Sequence, residues 1–245
     1  MEWAPGTAQV DFGNFRAVLA GATLRERASR GTPRQVEYLA EFLEAERAGR
    51  EASRRAALLR RCALPAPKSF DGYDWSAVLW PEGFGRTGLT SLPFLDGAHD
   101  PVLMGDVGTG RTHMASALCA LACGARLEAR FFTASSLVMR LRRARDEGRL
   151  DHGAAQIGRA RLLVVDELGF LPLDADGARL LFQVFSDAYG RQSAVITTNL
   201  EFSRWGAVFG DGQMAAAAID RVVHHGRLLR FRGESHRVRH ALMQG

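Results

Sequence analysis

Between Pro101 and Phe231, short apolar runs alternate with segments of helical periodicity, and this alternation constrains the fold more than any other feature. The runs "PVLMG", "ARFFTA", "RLLVVDE", "AVITTN" and "RLLRF" have the length and branched-chain content of buried strands. Between them, Thr112–Cys123, Ser136–Glu147, Asp176–Tyr189 and Gln213–His224 carry helical patterns. Strands that are apolar throughout need cover on both faces, and strands joined through helices run parallel. The spacing predicts an α/β fold, a parallel β-sheet with helices on both faces.

Upstream the pattern is helical. Thr32-Pro33-Arg34-Gln35 reads as a helix start, with Thr32 as cap, proline in the first turn and Gln35 completing a capping box. Val36, Leu39, Phe42 and Leu43 then recur at helical spacing, and Phe15–Arg27 forms a second amphipathic stretch. "EAERAGREASRRAALLRR" gives this unit a basic exposed side. "LPAPKSFDGYDW" (64–75) breaks the helical pattern with prolines, a glycine and aspartates. The expected organisation is a helical, partner-binding unit over 1–63, a linker over 64–75 ending in an aromatic anchor, and the α/β domain over 76–245.

Composition adds limits. The net charge of +5 suits an anionic partner, and Lys68 is the only lysine among 32 basic residues. So strong a preference for arginine reads as a bias of the whole genome. Cys62, Cys119 and Cys123 form no metal spacing and read as buried free thiols. "MEWAPGTAQVDFGNF" lacks the basic start and apolar run of a signal peptide, and no uncharged stretch reaches the ~20 residues of a membrane span. A cytoplasmic protein without membrane contact is expected.

"GDVGTGRTH", between the first apolar run and the first helix, follows the phosphate-loop pattern G-x-x-x-x-G-K-[ST] except at Arg111. Gly105, Asp106, Val107, Gly108, Thr109, Gly110, Arg111, Thr112 and His113 are the candidate nucleotide-binding residues. Glycines let backbone amides turn inward around phosphates, and the helix start adds positive potential. Thr112 would place its hydroxyl on Mg2+. "LLVVDE" ends in two carboxylates: Asp166 is the candidate metal ligand and Glu167 the candidate base that polarises water. "VITTN" ends in Asn199, placed to sense the γ-phosphate.

Together with "DELGFLPL" and "FSRWGAVFGD", these segments resemble the IstB-like helper ATPases of bacterial insertion sequences, relatives of the DnaC helicase loaders within the AAA+ ATPases. The resemblance runs from the charged N-terminal helices through "AIDRVVHH" to "RGESHRVR". It implies a three-layer P-loop (AAA+) sheet that binds ATP with Mg2+. It also implies that Arg221 is an arginine finger reaching an adjacent subunit, and that Arg237 is a second γ-phosphate sensor. Such proteins self-associate on DNA with little sequence preference and serve a transposase. Arg54, Arg55, Arg60 and Arg61, or Arg140, Arg142, Arg143 and Arg145, are the candidate phosphate contacts.

The family pattern has lysine where this chain has Arg111. An ammonium fits between β- and γ-phosphates as a point charge, whereas a planar guanidinium is longer and forked. The expectation is an ATP-binding transposition helper, a DNA-stimulated ATPase whose hydrolysis is impaired by Arg111. The alternatives are a DnaC-like helicase loader and a non-hydrolysing scaffold bound to DNA.

Overall fold

The parity of the central strands sets the layers. On β4 (Leu162–Leu168), Leu163 and Val165 pack into one core, while Leu162 and Val164 pack into another on the opposite face. On β2 (Asp100–Gly105), Val102 and Leu103 divide in the same way, as do Ile196 and Val195 on β5 (Ser193–Thr198). Side chains that alternate between two buried faces need helices above and below, which is the three-layer arrangement.

A computed structural model describes residues 26, 29–224 and 226–233. The six-stranded sheet has the order β1-β6-β2-β5-β4-β3, with β1 at Val78–Leu79, β3 at Ala129–Thr133 and β6 at Gly226–Phe231. All neighbours pair in parallel except the edge strand β1, which runs antiparallel to β6. The helices in chain order are α1 (Pro33–Cys62), α2 (Arg86–Thr90), α3 (Arg111–Gly124), α4 (Ala134–Asp146), α5 (Leu150–Gly158), α6 (Ala175–Ala188), α7 (Gly206–Phe209) and α8 (Gly212–His224). The helix α3 fills one core with Met114, Leu118 and Cys119, and α4, α6 and α8 fill the other with Leu137, Leu181 and Ala218. Each fully buried leucine here contributes about 1.5–3 kcal/mol.

The five strands and four helices expected from periodicity are all present, with ends that differ by one or two residues. The short elements β1, α2, α5 and α7 lacked a periodic signal. The chain divides into two compact units, residues 1–52 and 53–245. In the first, Thr32 and Gln35 form the expected capping box, with the Thr32 N–H donating to Gln35 Oε1 at 2.9 Å. The stretch Phe15–Arg27 lies almost wholly outside the described residues.

Two glycine-bearing signatures have packing roles. Gly105 ends β2 against Phe231, and a Cβ there would lie 2.6 Å from the Phe231 carbonyl oxygen. In "FSRWGAVFGD", Trp205 and Phe209 are fully buried and their rings pack 6.2 Å apart. At the start of β2, Asp100 is buried and its Oδ1 accepts the Ala194 N–H at 2.7 Å, tying β2 to β5. Burial pushes the Asp100 carboxyl up to about 7, and the Ala194 hydrogen bond opposes that rise.

Candidate functional site

The phosphate loop is the turn between β2 and α3. Gly108 and Gly110 adopt φ of 86° and 97°, left-handed values open to glycine at little cost. The Thr109 hydroxyl donates to the Asp106 carbonyl oxygen at 2.8 Å, closing the turn from inside. Gly110 then caps α3, whose first residues are Arg111, Thr112 and His113.

β2, β5 and β4 are adjacent, so their C-terminal ends meet beside this turn. Ligands of open parallel sheets bind at such ends. Thr112 Oγ1 donates to Asp166 Oδ1 at 3.1 Å, bringing together two candidate metal ligands from positions 54 residues apart. Asp166 is buried, and its Oδ1 also accepts from the Thr197 hydroxyl on β5. Glu167 follows at a break in the β4–β5 register and holds φ of 60°, a left-handed value unusual outside glycine. Its N–H donates to Thr197 Oγ1 at 2.9 Å, and its side chain is exposed.

Thr197 is the residue that sequence reading missed. One hydroxyl holds the Asp166 carboxylate and the Glu167 backbone N–H. Parity could have found it: Val195 faces the α3 side of the sheet, so Thr197, two residues on, does too. Asn199 lies just beyond the end of β5 and is exposed.

Arg111 turns back onto its own loop. Nη2 donates to the Asp106 carbonyl oxygen at 3.1 Å, and the buried Nε has no hydrogen-bond partner among the described residues. Burial pushes the guanidinium below the usual arginine range, against the opposing fields of Asp166, Asp106 and Glu167. It stays charged at neutral pH.

The joint 64–75 forms the facing wall. Phe70, Tyr73 and Trp75 pack edge to face and tilted, with Tyr73 and Trp75 centroids 4.8 Å apart. The Tyr73 hydroxyl donates to the Gly110 carbonyl oxygen at 3.2 Å. His113 Nε2 lies 2.7 Å from the Ser69 carbonyl oxygen, which can only accept, so that nitrogen carries the proton. Between joint and loop lies a cavity of about 630 Å3, lined on the loop side by Gly108, Gly110, Arg111, Thr112, His113 and Ser116.

The glycine turn, the amides at the start of α3 and the Thr112–Asp166 oxygen pair fit a nucleoside polyphosphate with its Mg2+. Arg221 on α8 donates to the Ala217 carbonyl oxygen at 3.0 Å and stacks 4.8 Å over Phe182. Arg237 lies outside the described residues. Among the candidate DNA contacts, Arg140 bonds Gln156, Arg142 and Arg145 pair with Asp174 and Asp176, and Arg143 pairs with Glu147. Arg54, Arg55, Arg60 and Arg61 are exposed. All three cysteines are free and buried, and no described helix is long and apolar enough to cross a membrane.

A glycine loop between β2 and α3, an acidic tip on β4 and a hydroxyl-bearing strand between them define a P-loop fold of the AAA+ kind. The fold is similar to that of the DnaC helicase loader, with a TM-score of 0.53 at 21% identity over 67% of this chain and 96% of that one. It is also similar to AMPPCP-bound DnaA from Aquifex aeolicus, with a TM-score of 0.56 at 14% identity over 75% and 56%. The IstB-like ATP-binding protein family matches residues 16–244, and the chain belongs to that family. It is 33% identical to the protein assigned as the ATP-binding protein of insertion sequence IS5376 in Geobacillus stearothermophilus, over 85% of this chain and 83% of that one. With the corresponding protein of IS21 in Pseudomonas aeruginosa, identity is 32% over 89% and 82%.

Proposed function

We propose that this chain is an ATP-binding transposition helper: it binds ATP with Mg2+, assembles on DNA and stimulates a partner transposase. The observation that carries the nucleotide reading is the Thr112–Asp166 contact of 3.1 Å beside the glycine turn. The loop amides and the start of α3 bind the phosphates, and Thr112 and Asp166 hold the metal. Mg2+ supplies charge neutralisation along the phosphates. Glu167, backbone-anchored by Thr197, orients and deprotonates water, and Asn199 senses the γ-phosphate. Arg221 leaves Phe182 to reach a neighbouring subunit, and Arg237 serves as a second γ-phosphate sensor.

Arg111 is the weak element of this machinery. Its guanidinium is engaged with the Asp106 carbonyl, so the charge is kept near the phosphates while the fit of a lysine is lost. Binding therefore survives better than hydrolysis. The same contact favours a second reading, a scaffold that binds nucleotide and DNA without turnover. The likeness to helicase loaders is one of fold. Purified chain with ATP, DNA and a candidate partner transposase separates the readings. ATP-dependent assembly on DNA and stimulated strand transfer are expected. Stimulation of helicase loading without any effect on transposition would overturn the proposal.

A further inference from the structure

Lys68, the only lysine of the chain, lines the cavity that Arg111 also lines. Its neighbour Ser69 is bonded to His113 on the first turn of α3 at 2.7 Å, and Tyr73 is bonded to Gly110 at 3.2 Å. These two contacts hold the Lys68 backbone close to the phosphate loop. Lys68 itself is exposed and has no hydrogen-bond or ion-pair partner among the described residues. The one acid lining the cavity, Asp74, is engaged by the Ser76 N–H at 3.0 Å and by the Ser76 hydroxyl. The cavity thus has an unengaged ammonium on one wall and a guanidinium turned to a carbonyl on the other.

Gly108, Gly110, Arg111 and Thr112 line this cavity and Asp166 and Glu167 do not, so Lys68 stands across from the phosphate loop rather than beside the acidic tip of β4. We propose that Lys68 binds the α- and β-phosphates of the nucleotide from the facing wall and partly replaces the ammonium that position 111 lacks. The inference rests on the ATP-binding reading above. A surface lysine that merely meets solvent would leave nucleotide affinity unchanged.

The test is equilibrium binding of fluorescent ADP and ATP to the full chain, with adenosine measured by competition, for the natural protein, K68Q and K68R. Loss of a charge-assisted phosphate contact should weaken ADP and ATP alike by about 10-fold. Adenosine affinity and the melting temperature should be unchanged, and K68R should stay within about threefold of the natural chain. With Arg111→Lys, the cost of K68Q should fall to about threefold, because a second ammonium then serves the β-phosphate they share. Unchanged ADP affinity in K68Q would overturn the assignment, as would equal loss for adenosine, which marks a wall contact. A full 10-fold loss in the Arg111→Lys background would refute the replacement. A natural chain that binds neither ADP nor ATP would refute the ATP-binding reading itself, whereas intact binding insensitive to K68Q refutes only the role of Lys68.

Discussion

Thr197→Val separates the positioning of the acidic pair from its identity. Valine has the shape of threonine, so the buried site keeps its volume and loses only the hydroxyl. Two bonds go with it: the donation to the Asp166 carboxylate and the acceptance of the Glu167 N–H at 2.9 Å. A hydrogen bond to a charged group is worth about 1.5–3 kcal/mol, and a part-buried N–H left without an acceptor adds to the loss. The combined cost should be about 2–4 kcal/mol, since Asp166 retains its Thr112 contact. At about 2–4 °C per kcal/mol for a chain of this size, the melting temperature should fall by roughly 5–15 °C. The left-handed Glu167 backbone loses its anchor at the same time, so the Mg2+ dependence of nucleotide binding should shift to higher concentration. Differential scanning calorimetry and nucleotide titration at several Mg2+ concentrations measure both effects, and Thr197→Ser, which keeps the hydroxyl, should restore most of each. A Thr197→Val protein that melts within about 1 °C of the natural chain, with unchanged Mg2+ dependence, would refute the reasoning.

Three further outcomes follow from the geometry. Asp100, raised to about 7 when folded against an ordinary value of 3.8, binds a proton more tightly in the native state, so its contribution is present below pH ~4 and is lost as pH rises towards 7. Asp100→Asn keeps the acceptor for Ala194 and cannot ionise, so its melting temperature should gain on the natural chain as pH rises from about 4 to 7, by the equivalent of at most roughly 2–4 kcal/mol; parallel curves would contradict this. Gly110→Ala places a Cβ 3.1 Å from the Tyr73 hydroxyl at φ of 97°, and should cost about 1–2 kcal/mol and at least about 10-fold in nucleotide affinity by titration. If the exposed arginines carry the DNA, neutralising Arg54, Arg55, Arg60 and Arg61 should lower the slope of log affinity against log salt by about 3, whereas neutralising the acid-paired Arg142 and Arg145 should leave it unchanged.

The sheet was legible because apolar strands and amphipathic helices announce themselves by period. Both cores follow from the alternation along β2, β4 and β5. The loop and the acidic strand were legible for a second reason: their chemistry demands particular residues at a strand end. The joint was harder. Prolines, a glycine and aspartates mark 64–75 as irregular, but irregular backbone can still be packed, and nothing local tells that Tyr73 and Ser69 are bonded to Gly110 and His113. Those contacts span 37 and 44 residues and exist only once the sheet brings the segments together. The basic helix α4 is the converse case. Its arginines read as a free positive face, yet Asp174 and Asp176, 32 and 31 residues away, take up two of them. Arg111 was visible as a departure from pattern, while its bond to the Asp106 carbonyl depends on the curl of the loop.

The central claim is a nucleotide site that binds well and turns over slowly because of one side chain. ATP affinity and steady-state hydrolysis, each with and without DNA, in the natural chain and in Arg111→Lys test it most directly. The account predicts ATP binding in both proteins and a rise in turnover of about 10²–10³ with lysine, the size of restoring a well-placed charge to a transition state. Equal turnover in the two proteins would contradict it.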